Sequence, residues 1–185
     1  MNEEICHYKA TPTLINISTM FRQDLTQLSI FQGLSQEQMA VLTPLLAECH
    51  YTPHEVIFEQ GRFADDLYIL IEGEVVVWYK PYDGPALVVA RIKPGGVCGW
   101  SAALGRDVYT SSAVTETESV LIRVSGTNLR QLCEQHPDTG AIVLEHLASV
   151  ITERLQTTHA DVLTILTQGM DLNDTVARRS KNGGK

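Results

Sequence analysis

The sequence has no cluster of metal ligands, no basic face, no membrane-length apolar run and few aromatic residues, and each absence removes a class of function. Its four cysteines, Cys6, Cys49, Cys98 and Cys133, are scattered, with no CxxC pair and no histidine at zinc spacing. They read as reduced and mostly buried thiols and form neither a zinc centre nor a redox motif. His50 and His54 stand four apart across Pro53, and His136, His146 and His159 fall in helical segments, so the paired histidines of a metal-bearing jelly roll are missing. No nucleophile elbow, Walker loop or triad spacing is present, which predicts a non-enzyme without catalytic residues. Phe, Trp and Tyr make up 6% of the 185 residues. No apolar stretch approaches the about 18 residues that would span a bilayer. The start MNEEICHYKATPTLIN lacks a basic region before an apolar run, so no secretory signal is indicated and a soluble, cytoplasmic chain with no membrane partner is expected. Positive charge is also scarce: 14 Lys and Arg against 22 Asp and Glu give a net charge of -8, which repels a nucleic-acid backbone. The basic run ARRSK, Ala177–Lys181, lies in a polar tail that reads as disorder.

What is there fits one domain, since 44% hydrophobic residues in a chain of this length bury one sizeable core. The first 28 residues carry a helical pattern, Leu14, Ile17, Met20, Phe21, Leu25 and Leu28, suited to a docking arm. Ser35 and Gln38 have the spacing of a capping box, followed by Met39, Leu42, Leu45 and Leu46 on one helical face, with Pro44 distorting the last turn. From His50 to Val124 the text changes to short alternating runs, EVIFEQG, DLYILIEGEVVVWYK, PALVVARI and SVLIRVS. Gly61, Gly73 and Gly95–Gly96 fall between these runs, and YDGP at Tyr82–Pro85 reads as a hairpin turn. The predicted class is mainly β with flanking helices, a jelly roll or barrel followed by a long C-terminal helix. That helix starts at Pro137, and Leu144, Ala148, Ile151, Leu155, Thr158, Val162 and Ile165 follow at alternating spacings of four and three. This is the seam of a two-stranded coil, or a stripe that packs on the chain's own β-roll.

The stretches IFQGLSQEQMAVL, IFEQGRFADDLYILIEGEVVVW and IKPGGVCGW resemble the leading helix, the strand-Gly-strand-Gly signature and the cassette approach of the cyclic nucleotide-binding domain family. The resemblance covers about Ile30 to Leu155. It implies a double-stranded β-helix of the cyclic nucleotide-binding type. The expected organisation is an N-terminal arm over 1–28, the β-roll with its leading and short following helices over 29–136, a dimerisation helix over 137–168 and a disordered tail over 169–185. A helix-turn-helix of the size carried by regulators of this kind does not fit after the long helix, so direct DNA binding is not expected. The implied partners are a second copy of the chain and a separate output protein.

In that family a glutamate of the phosphate-binding cassette accepts the ribose 2′-hydroxyl and an arginine pairs with the cyclic phosphate. Laid on GVCGWSAALGRDVYTSS, Gly99 keeps the glycine, Trp100 takes the glutamate position, Ala102 to Leu104 form the short helix, Tyr109 takes the arginine position and Thr110 the hydroxyl beside it. Both charged contacts are gone. Each is worth about 1.5–3 kcal/mol, so the implied loss in cyclic nucleotide affinity is roughly two to four powers of ten. Three readings follow. The pocket is altered, with Ser101, Thr110, Ser111 and Ser112 bonding some other small ligand between Trp100 and Tyr109; or Arg106 and the hydroxyls restore a cyclic AMP or cyclic GMP receptor; or the two aromatics fill the cavity and leave an interaction module. The ligand-binding set is Gly99, Trp100, Ser101, Ala102, Arg106, Tyr109, Thr110 and Ser111, with no metal and no cofactor beyond a cyclic nucleotide or other small ligand.

Overall fold

The capping box at Ser35 forms: Ser35 Oγ accepts from the Gln38 N–H at 3.2 Å while the Gln38 side chain accepts from the Ser35 N–H at 2.9 Å. It opens helix α1, Gln36–Leu42. In this computed structural model, which describes Ile15, Asn16, Leu25 and residues 28–153, Pro44 ends the helix one turn earlier than the apolar spacing predicts. The pyrrolidine ring has no N–H to give and crowds the carbonyl four residues back. The chain tightens into a 3-10 turn, Thr43–Leu45, and Leu46, expected on the helical face, becomes the first residue of a strand.

Among the described residues the strands are β1 (Ile15–Asn16), β2 (Leu46–Tyr51), β3 (Val56–Phe58), β4 (Asp66–Glu72), β5 (Val75–Tyr79), β6 (Leu87–Ile92), β7 (Val97–Cys98), β8 (Ser112–Thr115) and β9 (Ser119–Ser125). They form two antiparallel sheets, ordered β1-β2-β9-β4-β7 and β3-β8-β5-β6. This is the predicted jelly roll. Where the N-terminal pattern suggested helix, Ile15 and Asn16 instead add an edge strand opposite Glu48 and Ala47. Leu25 is helical and fully buried, whereas Leu14, Ile17, Met20 and Phe21 lie outside the described residues.

Alternation decides what the roll encloses. Cys49, Leu121 and Leu70 stand in one row across β2, β9 and β4, and Val77 pairs with Ala113 and Ala90 across the other sheet. These residues join Tyr51, Phe58, Tyr68, Val75, Ile92, Cys98 and Tyr109 in one buried cluster. The β5–β6 connection turns through Asp83 and Gly84, as the YDGP motif suggested, in a loop longer than a two-residue hairpin.

After β9 comes helix α2 (Gly126–Gln135), then helix α3 over residues 137–153. The chain divides into two compact units, the first ending at Leu147. Within that first unit α3 buries Thr139, Val143 and Leu147, spaced by four, while Leu144 stays 41% exposed. The seam residues Leu155, Thr158, Val162 and Ile165 and the tail from 169 lie outside the described residues, as does most of the arm over 1–28.

Candidate functional site

β7 delivers the chain to Gly99, which is buried with φ +76; a Cβ there would lie 2.8 Å from the Asp66 carbonyl oxygen and 3.4 Å from Tyr109 Cε1. Only glycine suits both the left-handed backbone and the close approach. The next residues make a single helical turn, with Leu104 N–H donating to the Trp100 carbonyl at 3.0 Å. Gly105, at φ +67, then closes it: its N–H donates to Ala102 O at 3.3 Å and the Arg106 N–H to Ser101 O at 2.9 Å. That is a Schellman ending, and the short helix expected over Ala102 to Leu104 is present as this single turn, which begins at Trp100. The turn is anchored from α2, where Arg130 Nη1 donates to Ala102 O at 3.0 Å.

Residues 107–109 then pair with the loop after β3. Ala64 N–H donates to Asp107 O at 3.0 Å, Tyr109 N–H to Arg62 O at 2.9 Å, and Gly61 N–H to Tyr109 O at 2.9 Å. This pairing sends the Tyr109 side chain into the roll. The ring is 5% exposed and lies against Phe58 with centroids 4.1 Å apart and planes 20° from parallel. Its hydroxyl donates to the Asp66 carbonyl at 2.7 Å and accepts from the Asp66 N–H at 3.0 Å. Burial pushes the Tyr109 phenol up to about 12, against a smaller opposing effect of the Asp66 backbone bond.

The other predicted residues are spread over three environments. Ser101 and Ala102 are buried within the turn, Trp100 and Ser111 are half-buried, and Arg106 and Thr110 are exposed. Ser112 Oγ accepts from the Gln60 N–H at 3.0 Å and so helps to hold the loop after β3. The arrangement thus unites Gly99 and Tyr109 at the Asp66 backbone and leaves Arg106 on the surface.

One charged pair on the inner face escaped the sequence reading. Arg123 stands opposite Tyr68 across β9 and β4, in the phase of Leu121, so it faces the core side of the sheet. Its Nη1 lies 3.7 Å from Asp66 Oδ2, with the two side chains 30% and 21% exposed. Burial raises the Asp66 carboxyl above its ordinary range and Arg123 partly opposes the shift. Tyr68 and Tyr51 are also raised by burial, and the two share a hydrogen bond. The signal was available: in SVLIRVS the arginine occupies the phase of the buried Leu121, a charge where alternation demands an apolar residue.

Among the described residues no group of three or more His, Cys, Asp or Glu is placed to hold a metal ion, and no helix is long and apolar enough to cross a membrane.

Residues 48–136 match the model of the cyclic nucleotide-binding domain. Over 142 residues the chain is 27% identical to the CRP-like cAMP-activated global transcriptional regulator of Mycobacterium tuberculosis, a match covering 77% of this chain and 62% of the regulator. It covers 14% of the potassium channel AKT2 of Oryza sativa, at 26% identity over 117 residues. The chain therefore spans less than two thirds of either relative. Among solved structures, a cyclic nucleotide-binding protein of Geobacter metallireducens superposes with a TM-score of 0.64 at 26% identity, covering 72% of this chain and 97% of that one. A cyclic nucleotide-binding domain of Methylobacillus flagellatus shares the fold with a TM-score of 0.74 at 18% identity, covering 82% and 87%. The β-roll and the cassette that closes it thus lie in a region, residues 48–136, that is similar to the cyclic nucleotide-binding domain.

Proposed function

We propose that this chain is a regulatory, ligand-sensing domain whose cassette no longer holds cyclic AMP or cyclic GMP tightly. The observation that carries this reading is the position of Tyr109. By sequence position a neutral phenol takes the place of the family's arginine, and the reading is supported by its hydroxyl being committed to the Asp66 main chain. Trp100, in the glutamate position, has an indole N–H that donates only, whereas a ribose hydroxyl needs an acceptor there. Arg106 does not restore the charge on this reading, since it sits exposed beyond the Gly105 turn. The domain would act without chemistry of its own, as a dimer through its long helix, and pass its state to a separate output protein.

Calorimetry of the full chain with cyclic AMP and cyclic GMP tests the reading. Dissociation constants no tighter than about 100 μM are expected from the loss of two charge-assisted contacts. Low-micromolar binding of either nucleotide would overturn it.

A further inference from the structure

The cassette has neither a carboxylate nor a guanidinium at the two positions the family uses, and its own Arg106 and Asp107 are exposed, yet one of each group stands beside it on the inner face of the larger sheet. Asp66 opens β4, and its main chain is the partner of the Tyr109 hydroxyl. Arg123 lies on β9, three residues before Gly126, whose N–H bonds to Asp65 O and whose Cα packs so closely on Ala102 that a Cβ would meet the Ala102 carbonyl. The pair is therefore at the cassette end of the roll. Both side chains face inward, and both keep solvent access in a face whose other members, Tyr68, Leu70 and Leu121, are buried.

We infer that Asp66 and Arg123 form the recognition pair of this site, for a small net-neutral ligand that presents a hydrogen-bond donor beside an acceptor. The assignment rests on the altered-cassette reading given above. At 3.7 Å the two groups attract one another but stand beyond hydrogen-bond length, so the carboxylate retains acceptor capacity and the guanidinium retains donors. A ligand edge with a donor for Asp66 and an acceptor for Arg123 satisfies both at once. Because the pair sums to zero charge, a net anion gains from Arg123 what it loses against Asp66, and a neutral ligand incurs no such conflict. Partial burial, which already raises the Asp66 carboxyl, strengthens each hydrogen bond made there. Two kinds of molecule carry this chemistry: a nucleoside, through its base edge, and an amino acid, through its ammonium and carboxylate.

Titration calorimetry on the full chain distinguishes them, with guanosine, adenosine and L-serine as neutral probes and cyclic AMP and inorganic phosphate as anionic ones. At least one neutral probe is expected to bind with a dissociation constant of about 1 mM or tighter. Arg123→Gln and Asp66→Asn should each weaken that probe by about tenfold or more, the loss of one charge-assisted hydrogen bond. Arg91→Gln, on the outer face of the other sheet where Arg91 pairs with Glu74, should leave it unchanged. Asp66→Asn keeps the main-chain bonds to Tyr109, so this variant isolates the carboxylate from the fold. Absence of neutral-probe binding while cyclic AMP also binds weakly overturns the pair alone, as does neutral-probe binding undiminished in both variants. Low-micromolar cyclic AMP binding by the parent chain overturns the altered-cassette reading, and the pair with it where that binding survives Arg123→Gln.

Discussion

The Tyr109 phenol and the Asp66 main chain hold one another from both sides, the hydroxyl donating to the carbonyl at 2.7 Å and accepting from the N–H at 3.0 Å. One side chain thereby ties the end of the cassette to the first residue of β4, across 43 positions of sequence. Tyr109→Phe keeps the stack on Phe58 but deletes both bonds, leaving two main-chain groups in a poorly hydrated place. The expected cost is about 1–3 kcal/mol, read from the urea midpoint at unchanged slope. A shift near zero would mean that water replaces the phenol there.

The same tie predicts how the cassette responds to restoration. Trp100→Glu combined with Tyr109→Arg returns the carboxylate and guanidinium to the family's positions while Gly99 keeps the turn in its left-handed start. Cyclic AMP affinity should rise by roughly two to four powers of ten in calorimetry, the inverse of the loss estimated for two charged contacts. If the double variant binds no better than the parent, the single turn closed by Gly105 holds its N–H groups away from the phosphate position.

Most of the roll was legible because alternation and glycine punctuation are local signals. DLYILIE and SVLIRVS became β4 and β9, and Ser35 capped α1 as its spacing required. The limits of local reading are equally specific. LAECHY has no alternation of polar and apolar residues because Glu48 is buried along with Leu46, Cys49 and Tyr51, so β2 merged with the helix before it. Ser112 was read as a ligand-bonding hydroxyl, yet it opens β8, whose last residue Thr115 is fully buried and donates its hydroxyl to Thr52 O at 2.6 Å. That bond joins residues 63 apart, and no window of sequence contains it. Arg123 differs again: SVLIRVS signals a strand by its composition alone, and the inward charge stands out only when its phase is set against that of Leu121.

Asp66 should also give stability a pH signature. Its folded carboxyl is raised above the ordinary 3.8 by burial, with Arg123 opposing, so the folded chain holds the proton more tightly than the unfolded chain does. For an acid shifted upward the linked stabilisation is full below its ordinary value and is lost as pH rises through the folded one. Asp66→Asn removes the titrating group. The unfolding free energy of the parent minus that of the variant should therefore fall as pH rises from below 3.8 upward through the acid range, measured by urea titration at several pH values. A difference that rises over that window would show that Arg123 outweighs burial and depresses the carboxyl.

The long helix carries the last prediction. In its first turns, Thr139, Val143 and Leu147 recur every four residues and are buried, which accounts for the face that packs within the first compact unit. Leu144, the first residue of the predicted seam, lies one position away from Val143 on a different face and is 41% exposed. A seam packed on the chain's own β-roll would have buried Leu144 with the others, whereas a seam reserved for a second copy leaves it open in a single chain. Pairing two chains through this stripe places Leu144 against apolar side chains, and Leu144→Glu forces a charge into that desolvated contact without touching the buried trio. Light scattering should give the parent twice the 20.5 kDa of one chain and the variant the mass of one, with the thermal unfolding of the β-roll little changed. A monomeric parent, or a variant that stays fully dimeric at micromolar concentration, would place the dimer contact elsewhere or remove it.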